Sequence, residues 1–224
     1  MLPETIHRPT LWWWRWYCRY ALRRHFHRVM RYGAELPPAS PTGTLVLANH
    51  VSWWDGITLD AVLRPTHPEL RCMIDEVQVR RHPFFRRVGG FSVNRSSPRD
   101  AVRACAHAAG LLRDGKTVVM FPQGAIVPAG RPLVLERGFT RILDDAPDAA
   151  VLVVALRYEF WEHQRPELLV HIAPPLAGRS AGRDDVTAAL AGGLAELARA
   201  SDQRAAGEVL LRGRKAISEW RWRS

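Results

Sequence analysis

His50 and Asp55 stand in the segment Ala48-Asn49-His50-Val51-Ser52-Trp53-Trp54-Asp55-Gly56, directly after the apolar run Thr44-Leu45-Val46-Leu47-Ala48. An imidazole exchanges a proton near neutral pH, with a reference pKa of about 6.5. A carboxylate within reach of the ring fixes its tautomer and stabilises the imidazolium, as in the dyads and triads of acyl transfer. No Gly-x-Ser-x-Gly elbow supplies a nucleophile, and none of the three cysteines, Cys18, Cys72 and Cys105, adjoins the pair. A base without a protein nucleophile implies a substrate that brings its own hydroxyl. The spacing alone equally fits a loop histidine capping a helix whose first turn holds Asp55, because short His/Asp spacings arise by chance.

Short segments rich in Val, Leu or Ile predict strands at 44–48, 71–74, 91–94, 117–121, 151–156 and 168–172. Helices are expected at 56–63, 98–113, 136–144 and 184–200, the second opened by Ser97-Pro98 as N-cap and first helical residue. Strands alternating with helices predict one α/β domain with a largely parallel mixed sheet covered by helices. The reading divides the chain into an N-terminal amphipathic segment, 1–36, and a domain, 37–224, joined through Pro37-Pro38-Ala39-Ser40-Pro41-Thr42-Gly43. On this plan His50, Arg95 and Gln123 each fall at or just beyond the end of a strand, where sites gather in open α/β sheets.

Three further segments follow the His/Asp pair: Gly89-Gly90-Phe91-Ser92-Val93-Asn94-Arg95, then Val118-Val119-Met120-Phe121-Pro122-Gln123-Gly124, then Val151-Leu152-Val153-Val154-Ala155-Leu156. In this order and at these separations, over roughly residues 40 to 160, the chain resembles the glycerolipid (lysophosphatidate) acyltransferase-like family. That family carries His-x-x-x-x-Asp, a Gly-rich segment ending in Arg, Phe-Pro-Glu-Gly, and a late apolar strand often containing Pro. The resemblance implies His50 as general base and Asp55 as its orienting partner, with no covalent acyl-enzyme. It implies Arg95 as an anion clamp, Asn94 and Gly90 on the substrate side, and Phe121, Pro122, Gln123 and Gly124 lining the acceptor pocket. Acyl-CoA or acyl-carrier protein would be the co-substrate, with no other cofactor. The residue types agree: arginine offers a planar fork suited to phosphate, and glycine lets backbone approach a ligand. Two departures leave the acceptor open among lysophosphatidate, other lysolipids and glycolipids: Gln123 replaces the family's Glu, and the late strand lacks its proline.

The net charge of +10 and pI of about 10.6 suit anionic partners. A helix is expected from Leu11 to Tyr32, with Arg15, Arg19 and Arg23 on one stripe and Trp12, Trp13, Trp14 and Trp16 crowded at its start. Indole favours the water–lipid boundary and arginine the anionic headgroup, so these tryptophans with Arg15 and Arg19 are the expected membrane contacts. No run of about 18 apolar residues exists to span a bilayer, and no secretory signal is expected. The basic tail from Arg212 to Arg223 is a second candidate contact. Scattered cysteines favour a reducing compartment, hence the cytoplasmic face of a membrane. The nine histidines show no metal-ligand spacing, so no metal is expected. A basic nucleic-acid-binding module is the rival class, but it leaves the ordered motifs unexplained; a lipid-binding relative without turnover is the other alternative. No nucleic-acid partner is expected.

Overall fold

The computed structural model describes residues 1–215. The remainder of the basic tail, including Trp220, Arg221, Trp222 and Arg223, lies outside the described residues. Among the described residues nine strands form one sheet: β1 (Arg28–Gly33), β2 (Thr44–Ala48), β3 (Leu70–Asp75), β4 (Gly90–Val93), β5 (Thr117–Met120), β6 (Ala150–Glu159), β7 (Glu167–Ile172), β8 (Leu176–Ala177) and β9 (Glu208–Arg212). Their order is β4-β3-β5-β2-β6-β7-β1-β9, with β8 beside β6. From β4 to β6 the neighbours are parallel; β7 then runs antiparallel to β6, and β9 antiparallel to β1. β2 lies between β5 and β6, and all five of its residues are buried. A strand covered on both faces needs apolar side chains at every position, so its sequence runs continuously apolar instead of alternating.

Alternate residues of β2 enter two cores. Leu45 and Leu47 pack with Ala104 and Ala108 of α5 (Pro98–Arg113), Phe139 and Ile142 of α6 (Gly138–Asp145) and Val186 of α7 (Arg183–Asp202). Val46 and Ala48 face Trp14, Cys18 and Leu22 of α1 (Arg8–His25) and Ile57 and Leu59 of α2 (Trp54–Leu63). Two short helices, α3 (Glu76–Arg81) and α4 (Phe84–Arg87), fill the connection from β3 to β4. The helix at 98–113 starts as its sequence predicts, with Ser97 Oγ accepting from the Asp100 N–H and Pro98 in the first turn.

The N-terminal helix is shorter than the sequence suggests. α1 ends at His25, Phe26 turns extended, and Arg28–Gly33 joins the sheet between β7 and β9. Nothing local signals this strand. Its partners lie far along the chain, and Arg28 is fixed by two hydrogen bonds to the buried Glu167 carboxylate, at 3.1 and 3.0 Å. Such context overrides the helical pattern. Residues 28–33 of the expected N-terminal segment are therefore part of the sheet. Trp14 is also corrected. Only 7% exposed, it packs on Phe84, Phe85 and Tyr17 and is no surface contact. Trp12, Trp13 and Trp16 remain exposed.

The chain's first residues run beside β4. The Leu2 N–H donates to Ser92 Oγ at 2.7 Å, and the Ser92 N–H donates back to the Leu2 carbonyl at 2.9 Å. Thr5 and His7 donate to the carbonyls of Arg86 and Arg87.

Candidate active site

β2, β3, β4 and β5 all end on the side of the sheet from which β6 continues to Glu159, and each delivers a residue there. Beyond Ala48 the ladder between β2 and β6 is replaced by a side chain. Buried Asn49 donates through Nδ2 to the Leu156 carbonyl at 2.9 Å and accepts the Leu156 N–H on Oδ1 at 2.7 Å. The amide copies the pairing of a peptide, and the main chain is freed to turn at His50.

His50 and Asp55 meet. His50 Nδ1 lies 2.7 Å from Asp55 Oδ2. That oxygen also accepts the N–H groups of Val51, at 2.7 Å, and Ser52, at 2.9 Å. Asp55 sits in the first turn of α2 with no solvent exposure. A carboxylate can only accept, so Nδ1 carries the hydrogen, and in the neutral ring Nε2 then keeps the lone pair. Nε2 has no hydrogen-bond partner among the described residues, and the side chain retains 21% exposure. The N-cap residue of α2 makes no side-chain cap, and His50 is not a helix cap; instead Asp55 closes the turn that precedes the helix and holds the ring.

Sequence reasoning missed Tyr158. Its hydroxyl donates to Asp55 Oδ1 at 2.5 Å, across 103 residues. Burial and the neighbouring Asp55 charge push its phenol pKa far up, so it remains a donor. The one available signal was a tyrosine at the polar end of the late apolar strand, and that names no partner.

Phe121 lies flat against the His50 ring, centroids 4.1 Å apart and planes inclined by 17°. Gln123 reaches back to the same residue, its Oε1 accepting the His50 N–H at 2.7 Å. Its role is thus support of the His50 backbone through an acceptor oxygen, which Gln and Glu both possess. The Val127 N–H donates to the His50 carbonyl at 2.8 Å, and the Glu136 N–H donates to the Pro122 carbonyl at 2.7 Å. His50 is thus gripped at both its backbone groups and at Nδ1.

Gly124 adopts φ +69°, and a Cβ placed there would fall 2.5 Å from Arg95 Nη1. The Arg95 guanidinium lies across this glycine, with Nε 3.8 Å from Asp75 Oδ2 and about half of the side chain exposed. One dipeptide, Gln123-Gly124, therefore links the histidine and the arginine. Two expected substrate contacts are placed otherwise. Asn94 Oδ1 accepts the Ser96 N–H at 3.0 Å and its own N–H goes to Asp100, so it shapes the turn after β4. Gly90 is buried where a Cβ would meet Ile74 Cδ1 and the Phe85 carbonyl oxygen, so it answers to packing of α4.

Burial pushes the thiols of Cys18 and Cys72 up, the latter to about 12, which leaves them inert as nucleophiles. The fold does gather His27, His163 and Glu167, with ligand atoms within 4.8 Å of one another. Both oxygens of Glu167 already bind the Arg28 guanidinium, whose charge opposes a cation there.

A profile of the family described as Acyltransferase matches residues 29–159, more than half of the chain. Among solved structures, the fold is similar to that of the 1-acyl-sn-glycerophosphate (LPA) acyltransferase PlsC from Thermotoga maritima, at a TM-score of 0.65 and 18% identity, over 84% of this chain and 79% of that one. No curated protein matches the sequence at a significant level.

Proposed function

The chain belongs to the acyltransferase family, and from that premise we propose that it transfers a fatty acyl group from acyl-CoA or acyl-carrier protein to the hydroxyl of a lysophospholipid or related lipid acceptor. The observation that carries this reading is the asymmetry of His50: Nδ1 is locked on a buried carboxylate while Nε2 has no partner among the described residues. The acceptor hydroxyl gives its proton to Nε2 as its oxygen attacks the thioester carbonyl carbon. The resulting tetrahedral centre collapses with breakage of the C–S bond, and the imidazolium returns the proton to the leaving thiolate. Asp55 balances the transient charge on the ring, and Tyr158 holds Asp55. Arg95, half exposed beside Gly124 with its Nε near Asp75, fits the phosphate of the acceptor or donor. The Thermotoga protein's acceptor, a 1-acyl-glycerophosphate, is the acceptor class to test first.

We propose that the reaction takes place at the cytoplasmic face of a membrane, with the protein held there peripherally. No helix of the described residues is long and apolar enough to cross a bilayer. Exposed Trp12, Trp13 and Trp16, with Arg15 and Arg19, give α1 an aromatic and cationic outer face suited to a lipid interface. Labelled acyl-CoA and acyl-carrier protein, offered with lysophosphatidate, other lysolipids and glycolipids to wild type and His50→Ala, test the reaction. A product formed by wild type alone supports it and names the acceptor. A product formed equally by His50→Ala refutes the mechanism.

A further inference from the structure

A groove runs between the C-terminal half of α1 and the end of β9. Arg19 and Arg23 of α1 line one side, Arg212 and Arg214 the other, and Trp16 and Tyr20 form its wall. The two rings are stacked, centroids 5.1 Å apart at 12°. The Arg214 guanidinium lies over the Tyr20 ring at 5.1 Å. None of the four arginines has a carboxylate partner among the described residues. α1 contains no acidic residue at all, and the one acid of β9, Glu208, is engaged by Arg31. Arg165 adds a further cation, donating to the Arg214 carbonyl at 2.8 Å.

The fold holds these charges together deliberately. The Gly213 N–H donates to the His27 carbonyl and the Arg214 N–H to the Arg23 carbonyl, each at 2.8 Å. Gly213 lies so close to Phe26 that any side chain there would collide with its carbonyl oxygen. One basic residue at the end of α1 would answer the helix dipole. Arg212 and Arg214, brought from the far end of the chain, exceed that need, and cations spaced i, i+4 such as Arg19 and Arg23 repel each other. A concave set of planar, multidonor cations with no carboxylate partner among the described residues matches a doubly charged phosphate, which takes paired N–H bonds from several guanidiniums.

We propose that this groove binds a phosphate monoester, separately from the His50 site. It rests on the membrane-surface reading only for the expected source, a phosphatidate-type headgroup, since the 3′-phosphate of a coenzyme A-like donor has the same chemistry. The test is cosedimentation of the full chain with phosphatidylcholine vesicles containing either phosphatidate or, at matched surface charge, phosphatidylglycerol. Wild type is expected to favour phosphatidate by roughly tenfold or more. Arg212→Gln/Arg214→Gln, at exposed positions with a circular-dichroism check on folding, should bind both lipids alike and more weakly. Arg212→Lys/Arg214→Lys should keep attachment to both but lose the preference, because lysine has no fork. Release from vesicles by coenzyme A, and not by dephospho-coenzyme A, would support the site and assign it to the soluble source. Equal binding of wild type to both lipids with no release by either nucleotide overturns the proposal, as does a preference unchanged in the glutamine variant. Because vesicle binding needs no turnover, His50→Ala should retain the preference, so failure of the acyl-transfer reading and failure of this one are separately visible.

Discussion

The carboxyl edge of the sheet and the outer face of α1 treat polar groups in opposite ways. At the edge, Asp55 accepts four donors, His50 is held at three points, and Asn49 replaces a stretch of ladder. On α1, Arg19 and Arg23 stand beside Arg212 and Arg214 with no carboxylate among the described residues. The first region pairs the Asp55 oxygens and the His50 backbone and leaves His50 Nε2 without a partner among the described residues. The second leaves its guanidiniums without a carboxylate among the described residues, which suits the anion proposed above. Fixed dipoles need no reorganisation during reaction, which is why the proposed chemistry is assigned to the first region. Charge without a described partner is why the proposed anion is assigned to the second.

That contrast can be broken by substitution. Removing the proposed base has the largest expected effect: His50→Ala should lower acyl transfer by about 10²–10⁴-fold while vesicle attachment is unchanged, measured by labelled-product formation beside cosedimentation. Within α1 the two faces should separate on stability. Trp14→Ala should cost about 3–5 kcal/mol, whereas Trp12→Ala should stay within about 0.5 kcal/mol, both read from denaturant unfolding. A similar loss from the two would contradict the inward packing of Trp14.

Tyr158→Phe sharpens the interior side. It strands Asp55 Oδ1 in a buried site, at a cost of about 1–3 kcal/mol, and should lower kcat more than it changes KM. The phenol pKa is raised in the fold above its ordinary value of 10.0. Its contribution to stability is therefore full below pH 10.0 and is lost as pH rises beyond it. The phenylalanine variant should lack this alkaline loss in a titration of thermal stability. A smaller acid effect is expected from His67, held neutral between Thr117 Oγ1 at 2.9 Å and the Pro37 carbonyl at 3.0 Å. Burial lowers its pKa below 6.5, so the unfolded chain takes the proton first and stability falls as pH drops below 6.5. His67→Gln should flatten that slope. Gln123→Glu should have the smallest effect, since either side chain supplies the oxygen that accepts the His50 N–H. A large loss of kcat would show that amide donors of Gln123 serve the acceptor.

Much of this arrangement was legible in the sequence because it rests on local rules. Thr44–Ala48 is a strand with the bounds its apolar run predicts, and Ser97-Pro98 opens a helix ending at Arg113. The His50/Asp55 spacing matched a contact because a tight turn into a helix brings the two together. Other features depend on partners remote in the chain. β1 looks like more basic helix until β7 and β9 flank it. Tyr158 acquires its role from an aspartate 103 residues earlier. Asn94 and Gly90 sit in a motif that predicts ligand contact, yet their own neighbours, Ser96, Ile74 and Phe85, assign them to a turn and to packing. Trp14 shares the composition of its exposed neighbours and differs only in the face of the helix it occupies.

The first residues of the chain also decide how safely the sheet can exist at high concentration. β4 is an outermost strand, and outermost strands offer unpaired N–H and C=O groups that recruit other chains. Here Leu2 exchanges bonds with Ser92, and Thr5 and His7 cover the neighbouring turn. On the opposite side β9 is short and places the charged residues Glu208 and Arg212 at its two ends. A chain trimmed of residues 1–5 should therefore keep its folded core and begin to associate edge to edge, seen as a concentration-dependent rise in scattering.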